Sequence, residues 1–160
     1  MSDLWYTARE RCAYRAAAQA VGAVLIGAPL SSASIETEAV IADPGNGSRP
    51  CASDRHILGH IFVLVMGVGA VQRYSFGASL LEPHPQDSMS ADDLDQVAET
   101  SLRLERTDYA AVEMILRYVS ELIMQPDVWG AVERIAHNLL EGPLRGSRVA
   151  LLCTEQGRGV

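Results

Sequence analysis

Apolar residues recur along most of this chain at the spacing of helices, and only one short stretch alternates with the period of two expected of a strand. Ser2 or Asp3 can cap a first helix from about Leu4 to Ile26, rich in alanine and ended by Gly27 and Pro29. Ser34 to Ala42 alternates, with Ile35, Thr37, Ala39 and Ile41 on one face and Glu36 and Glu38 on the other, which predicts a single half-buried strand with both glutamates facing solvent. Asp43 to Pro50 is dense in turn formers, and Asn46-Gly47 is the expected reversal, with at most a short hairpin after it. Ser53 or Asp54 then caps a second long helix, about Arg55 to Tyr74, apolar on nearly every side and so predicted to lie in the core.

Gly77 to Ser88, with Pro83 and Pro85, reads as a loop, and Ser90-Ala-Asp-Asp93 opens a third helix that runs to about Leu104. Thr107 caps a fourth, about Asp108 to Met124, with a broad apolar stripe of Val112, Ile115, Leu116, Val119, Leu122 and Ile123. Pro126 separates it from a fifth, about Asp127 to Glu141, closed by Gly142-Pro143. A short turn from Ser147 to Leu152 precedes a loose tail. The expected architecture is mainly α (α+β): one domain over residues 1–153, about five helices with a small strand element, then a flexible tail over 154–160.

Composition narrows the function classes. A chain of 160 residues with 48% hydrophobic and 21% charged residues can bury a core of its own. Its formal charge is -7 and all 13 basic residues are arginine, so no electrostatic reason points to nucleic acid or an anionic membrane as partner. Cys12, Cys51 and Cys153 are odd in number, widely spaced and outside any CxxC pair, which supports neither a disulfide framework nor a structural zinc site. The polar start, Met1 to Arg11, is unlike a signal peptide. The longest apolar stretches, Ala16 to Leu30 and Ile57 to Val71, are shorter than the ~20 residues of a membrane span. These features predict a soluble, cytoplasmic protein that needs no cofactor.

The order of several segments resembles the FtsH-type zinc metalloprotease domain. Arg9 to Val21, followed by a strand that begins Ser34-Ile35-Glu36, is similar to the family's helix that carries A-Y-H-E-A-G-H-A-V. Met66 to Gly77 resembles its glycine-containing helix, and Ser90-Ala-Asp-Asp-Leu94 its Asn-Asp-Leu segment with the third zinc ligand. Leu144-x-Gly-Ser-x-Val149 resembles its closing Leu-x-Gly-x-x-Val pattern. The likeness spans roughly Arg9 to Val149 in the family's order, without the family's ATPase module or membrane anchor.

The metal site is where the chain departs from the family. A catalytic zinc helix needs two histidines at i and i+4 and a glutamate beside the first to activate water. Here those positions read Arg15-Ala16-Ala17-Ala18-Gln19. A guanidinium cannot ligate zinc, glutamine ligates it poorly, and alanine at 16 removes the base. Of the family's site only the third-ligand carboxylate, Asp93, persists. A degenerate site of this kind implies a protein that is no zinc protease and holds no metal.

The resemblance implies that Arg15 and Asp93 face each other, either as an ion pair in place of the metal or as a polar pocket in which Arg15 receives an anion. Buried charges are found paired, so the ion pair takes precedence. Tyr14 and Gln19 are the polar groups expected beside Arg15, and His60 completes the candidate binding pocket. His56 and His60 form an i, i+4 pair, but Ile57 stands where a base would be; they read as an exposed first-turn histidine and a satisfied core or pocket histidine. Nothing local pairs Cys12 or Cys51 with a histidine, and Cys12 reads as a small core residue.

Two functions follow as expectations. One is a pseudoprotease that binds a protein or peptide in the old cleft or on an outer helical face. The other is a metal-independent enzyme that acts on a small polar or anionic metabolite there, for example in a biosynthetic pathway. A homo-oligomeric structural role is compatible with either.

Overall fold

The computed structural model describes residues 8–41, 54–76 and 109–155. Within them lie five helices and a three-stranded antiparallel sheet, a mainly helical α+β fold. The elements are α1 (Ala8–Leu25), β1 (Leu30–Ser34), β2 (Glu38–Ile41), α2 (Asp54–Phe76), α3 (Tyr109–Ile123), α4 (Pro126–Glu141), β3 (Leu144–Arg145) and α5 (Gly146–Thr154). The expected third helix, over Ser90 to Leu104, lies outside the described residues, as does the Asn46-Gly47 reversal.

Helix α1 is the hub. Ala13, Ala16, Ala17, Ala18, Ala20 and Ala23 are all buried, and small side chains on most of its circumference let neighbours approach from several directions. It packs against α2, α4, the β1–β2 hairpin and α5. Ile61, Val65 and Met66 of α2, Val119 and Ile123 of α3, and Val132, Ile135 and Leu139 of α4 complete one continuous core. Arg9 reaches from α1 to the end of α4 and donates from Nη2 to the Leu140 carbonyl at 2.7 Å, satisfying one of the acceptors that a helix C-terminus leaves open. None of these described helices is long and apolar enough to cross a membrane.

The sheet corrects the expectation of one strand over Ser34 to Ala42. The chain reverses at Ile35–Thr37, and β1 and β2 pair through Ala33 with Ala39 and Ser34 with Glu38. The reversal is held by Ser34, whose Oγ accepts the Thr37 N–H at 2.9 Å and lies 2.6 Å from the Thr37 hydroxyl. Such a serine turn competes with extended backbone, so the alternation that suggested a longer strand crosses a turn instead. Glu38 leaves the turn with φ at 61°, the only positive φ among the described non-glycine residues. For a residue with a Cβ that conformation costs roughly 1–2 kcal/mol.

Strand β3, which the pattern did not suggest, adds to the other edge of β1 through Ser32 with Arg145 and Ala33 with Leu144, giving the order β2-β1-β3. Helix α5 starts at once from Gly146. A Cβ at that position would stand 1.9 Å from the Leu30 carbonyl oxygen, so only glycine lets the chain turn from strand to helix against β1. The closing segment Leu144-Arg-Gly-Ser-Arg-Val149 therefore has a local logic: Leu144 pairs with β1, Gly146 permits the close pass, and Val149 is buried in the core.

Candidate functional site

Arg15 and Gln19 stand one turn apart on α1, so both side chains leave the helix on the same face. Their stems lie against Gly67 of α2, where a Cβ would come within 3.0 Å of the Cγ atoms of both residues. A bare backbone at 67 thus makes the seat in which the two long side chains rest. From that seat they reach the hairpin.

The acceptor they meet is Glu38, which sits at the first residue of β2. Arg15 Nε lies 2.9 Å from Glu38 Oε1, and Gln19 Nε2 donates to Glu38 Oε2 at 3.0 Å. Oε2 thus accepts a hydrogen bond from Gln19, while Arg15 meets Oε1 as an ion pair whose Nε–H is not directed at the oxygen. Gln19 turns its other amide atom to the strand, and its Oε1 accepts the Ala39 N–H at 3.2 Å. One buried glutamine, 2% exposed, thereby ties α1 to both the side chain and the backbone of β2. The solvent side is more open: the Arg15 side chain is 23% exposed and that of Glu38 40%. The positive φ of Glu38 aims its side chain back toward α1, which corrects the expectation that both glutamates simply face solvent. Only Glu36, in the turn, is exposed.

The other expected pocket residues are placed differently. Tyr14 points away from Arg15 and stacks on Tyr74 of α2, ring centroids 4.1 Å apart, and on Trp129 of α4 at 5.5 Å. The guanidinium of Arg73 covers the Trp129 ring at 4.4 Å and also donates to the Ile123 carbonyl at the end of α3. Tyr74 closes the cluster by donating to Glu10 Oε2 at 2.9 Å. Burial pushes the Tyr14 phenol above its ordinary value, with the negative charges of Glu133 and Glu10 acting the same way. Burial lowers Arg73, and Glu133 opposes that shift.

His60 is exposed rather than held in a core or pocket, and it lies two turns before Gly67 on α2, about 10 Å along the helix axis. It does not join Arg15 and Gln19. Cys12 is likewise exposed rather than a core residue. Asp93 and the side chain of His56 lie outside the described residues, and within those residues the carboxylate facing Arg15 is Glu38.

Chemically, the described arrangement is a carboxylate met by a guanidinium and a carboxamide. Among the described residues no group of three or more His, Cys, Asp or Glu side chains could hold a metal ion. The donors on α1, a guanidinium and an amide, suit an anion and not a cation. Sequence reasoning found two of the three members, as the positions that match the zinc histidines of the family the chain resembles. It missed Glu38, for which the one local signal was the Ser34-x-x-Thr37 turn that precedes it. No protein-family model matches the chain, and no curated protein matches it either.

Proposed function

We propose that this chain is a metalloprotease-like protein without zinc chemistry, a cytoplasmic pseudoprotease that acts as a binding or interaction module. The observation that carries the reading is the Arg15–Glu38–Gln19 contact. The helix face that would present two histidines and a base carries a cation and an amide, and both are turned onto a carboxylate of the chain's own hairpin. Collinear likeness to the FtsH-type domain from Arg9 to Val149 supports the same reading, as do the structural roles of Leu144, Gly146 and Val149 in its closing pattern. An acidic chain without a basic run favours a protein or small-molecule ligand over nucleic acid.

A second reading, a metal-independent enzyme for a small polar or anionic metabolite, draws on the partial exposure of Arg15, which leaves a cation within reach of solvent. The test of the first reading is direct. The purified protein, offered zinc and then dialysed, is expected to hold no stoichiometric metal by elemental analysis and to cleave no unfolded protein substrate. One zinc per chain with proteolysis would overturn it and turn attention to His56 and His60.

A further inference from the structure

We propose that the outer face of α3 is the contact between two copies of this chain, paired antiparallel about a twofold axis that crosses the helix near Ile115. Helix α3 buries one side, where Leu116, Val119, Leu122 and Ile123 point into the core. The opposite side is not the polar face that solvent favours. Met114, 70% exposed, and Tyr118, 55% exposed, are the two most exposed large apolar side chains among the described residues, and they stand one turn apart on that side. The apolar surface continues beyond them. The Tyr118 ring leans on Phe62 of α2, centroids 6.1 Å apart. One turn before Phe62 the bare Gly59 lies beside Ile26, whose Cδ1 would be 3.2 Å from a Cβ there, and Ile26 and its neighbour Leu25 are both exposed. A patch that joins three helices in this way marks an interface, as scattered surface residues do not.

Charge beside the stripe selects a copy of the chain as the occupant. Glu113 and Arg117 are exposed and stand one turn apart on one flank of Met114 and Tyr118. An antiparallel twofold at Ile115 places side by side the residues equally far from that position in opposite directions, so each Glu113 stands level with the partner's Arg117. One opposite-charge pair is thereby made twice. The same axis sets Met114 next to the partner's Met114, with a Tyr118 ring on either side, a contact that suits a polarizable thioether. In a parallel pair every residue would meet its own kind, and both charges would repel. The rim charges thus fix orientation, and the apolar stripe supplies the affinity.

Sedimentation velocity of the full chain over a range of concentrations tests this. A reversible monomer–dimer equilibrium is expected, and a chain that stays monomeric at its highest soluble concentration overturns the proposal. Met114→Glu should weaken dimerisation at least about tenfold. It should leave the melting temperature of the dilute monomer unchanged, because that side chain lies mostly in solvent and glutamate is a good helix former. Arg117→Glu and Glu113→Arg should each weaken the dimer as well, since each sets like charges opposite one another. An equimolar mixture of those two variants restores both pairs, and its heterodimer should be at least about tenfold tighter than either homodimer. The zinc and proteolysis measurements are independent of this outcome, so either idea can fail alone. A dimer that ignores all three substitutions lies on another face, and one weakened by each charge change but not rescued in the mixture lacks the antiparallel pairing; either result overturns the proposal.

Discussion

Tyr14 and Arg15 are neighbours in the chain and opposites in setting. Tyr14 enters a ring stack between three helices, with Tyr74 and Trp129 on its faces and no polar partner required to fix it. Arg15 enters a polar contact with a hairpin that is partly open to water. The first contact depends on shape and area removed from water, the second on direction and charge. A helix so largely alanine imposes neither setting. Tyr14 and Arg15, side by side in its alanine-rich middle, decide what packs on each side there. The lesson is that the α1–α2–α4 side should be stiff and costly to alter, and the α1–hairpin side cheaper and exchangeable.

The largest effect expected from this contrast is that of Tyr14→Ala, which empties the centre of the ring stack. Loss of a buried aromatic of this size costs about 3–5 kcal/mol, a large share of the ~5–15 kcal/mol typical of a domain. A chemical denaturation midpoint that barely moves would show the stack to be peripheral. Arg15→Ala should cost less, about 1–2 kcal/mol, because the pair with Glu38 is half-exposed and well short of the roughly 3–5 kcal/mol lost on breaking a fully buried pair. Adding Glu38→Ala should restore part of that loss, and a double-mutant cycle reads the coupling. Strictly additive losses would mean the two side chains do not act on each other.

The smallest effect is a dependence on alkaline pH. The folded-state value of Tyr14 is raised above its ordinary 10.0, so its neutral form is favoured in the folded protein. The stability it contributes is fully present below pH 10 and is lost as pH rises through the higher folded value. Cys153, raised above its ordinary 9.0 by burial and partly offset by Arg134, acts in the same direction from a lower pH. The melting temperature should therefore fall at alkaline pH, and Tyr14→Phe should flatten the part of the decline above pH 10. An unchanged slope in Tyr14→Phe would remove Tyr14 from the account.

The helices were legible because each signal was local and repeated. Alternation of period 3.6 in α3 and Pro126 at the start of α4 specify their elements whatever surrounds them. The hairpin was not legible for the opposite reason. Ile35 and Thr37 sit in register with Ala39 and Ile41 as if on one strand, and only the Ser34 hydroxyl and the backbone of Glu38 break that register. Strand β3 is two residues long and exists because β1 offers it an edge, a fact fixed far away in sequence. The same limit applied to the site. Arg15 and Gln19 were visible as a pair on one helix, but their carboxylate partner depends on how the hairpin folds back over α1. Tyr14 was assigned to their side because adjacency in sequence was read as adjacency in space.

The Arg9 contact with Leu140 joins residues 131 positions apart, and β1 waits for Leu144–Arg145 to complete its outer edge. In terms of time rather than structure, this makes α1 the first described helix to leave the ribosome and among the last to be covered. Until α4 has been synthesised, its buried alanine face and the Tyr14 ring have, among the elements they chiefly pack against in the described residues, α2 and the hairpin to meet. Contacts so distant in sequence slow folding, since the loop between them must close before they are rewarded. The emerging chain thus carries α1 without its α4 contacts for most of its synthesis, a period in which a chaperone has something to hold.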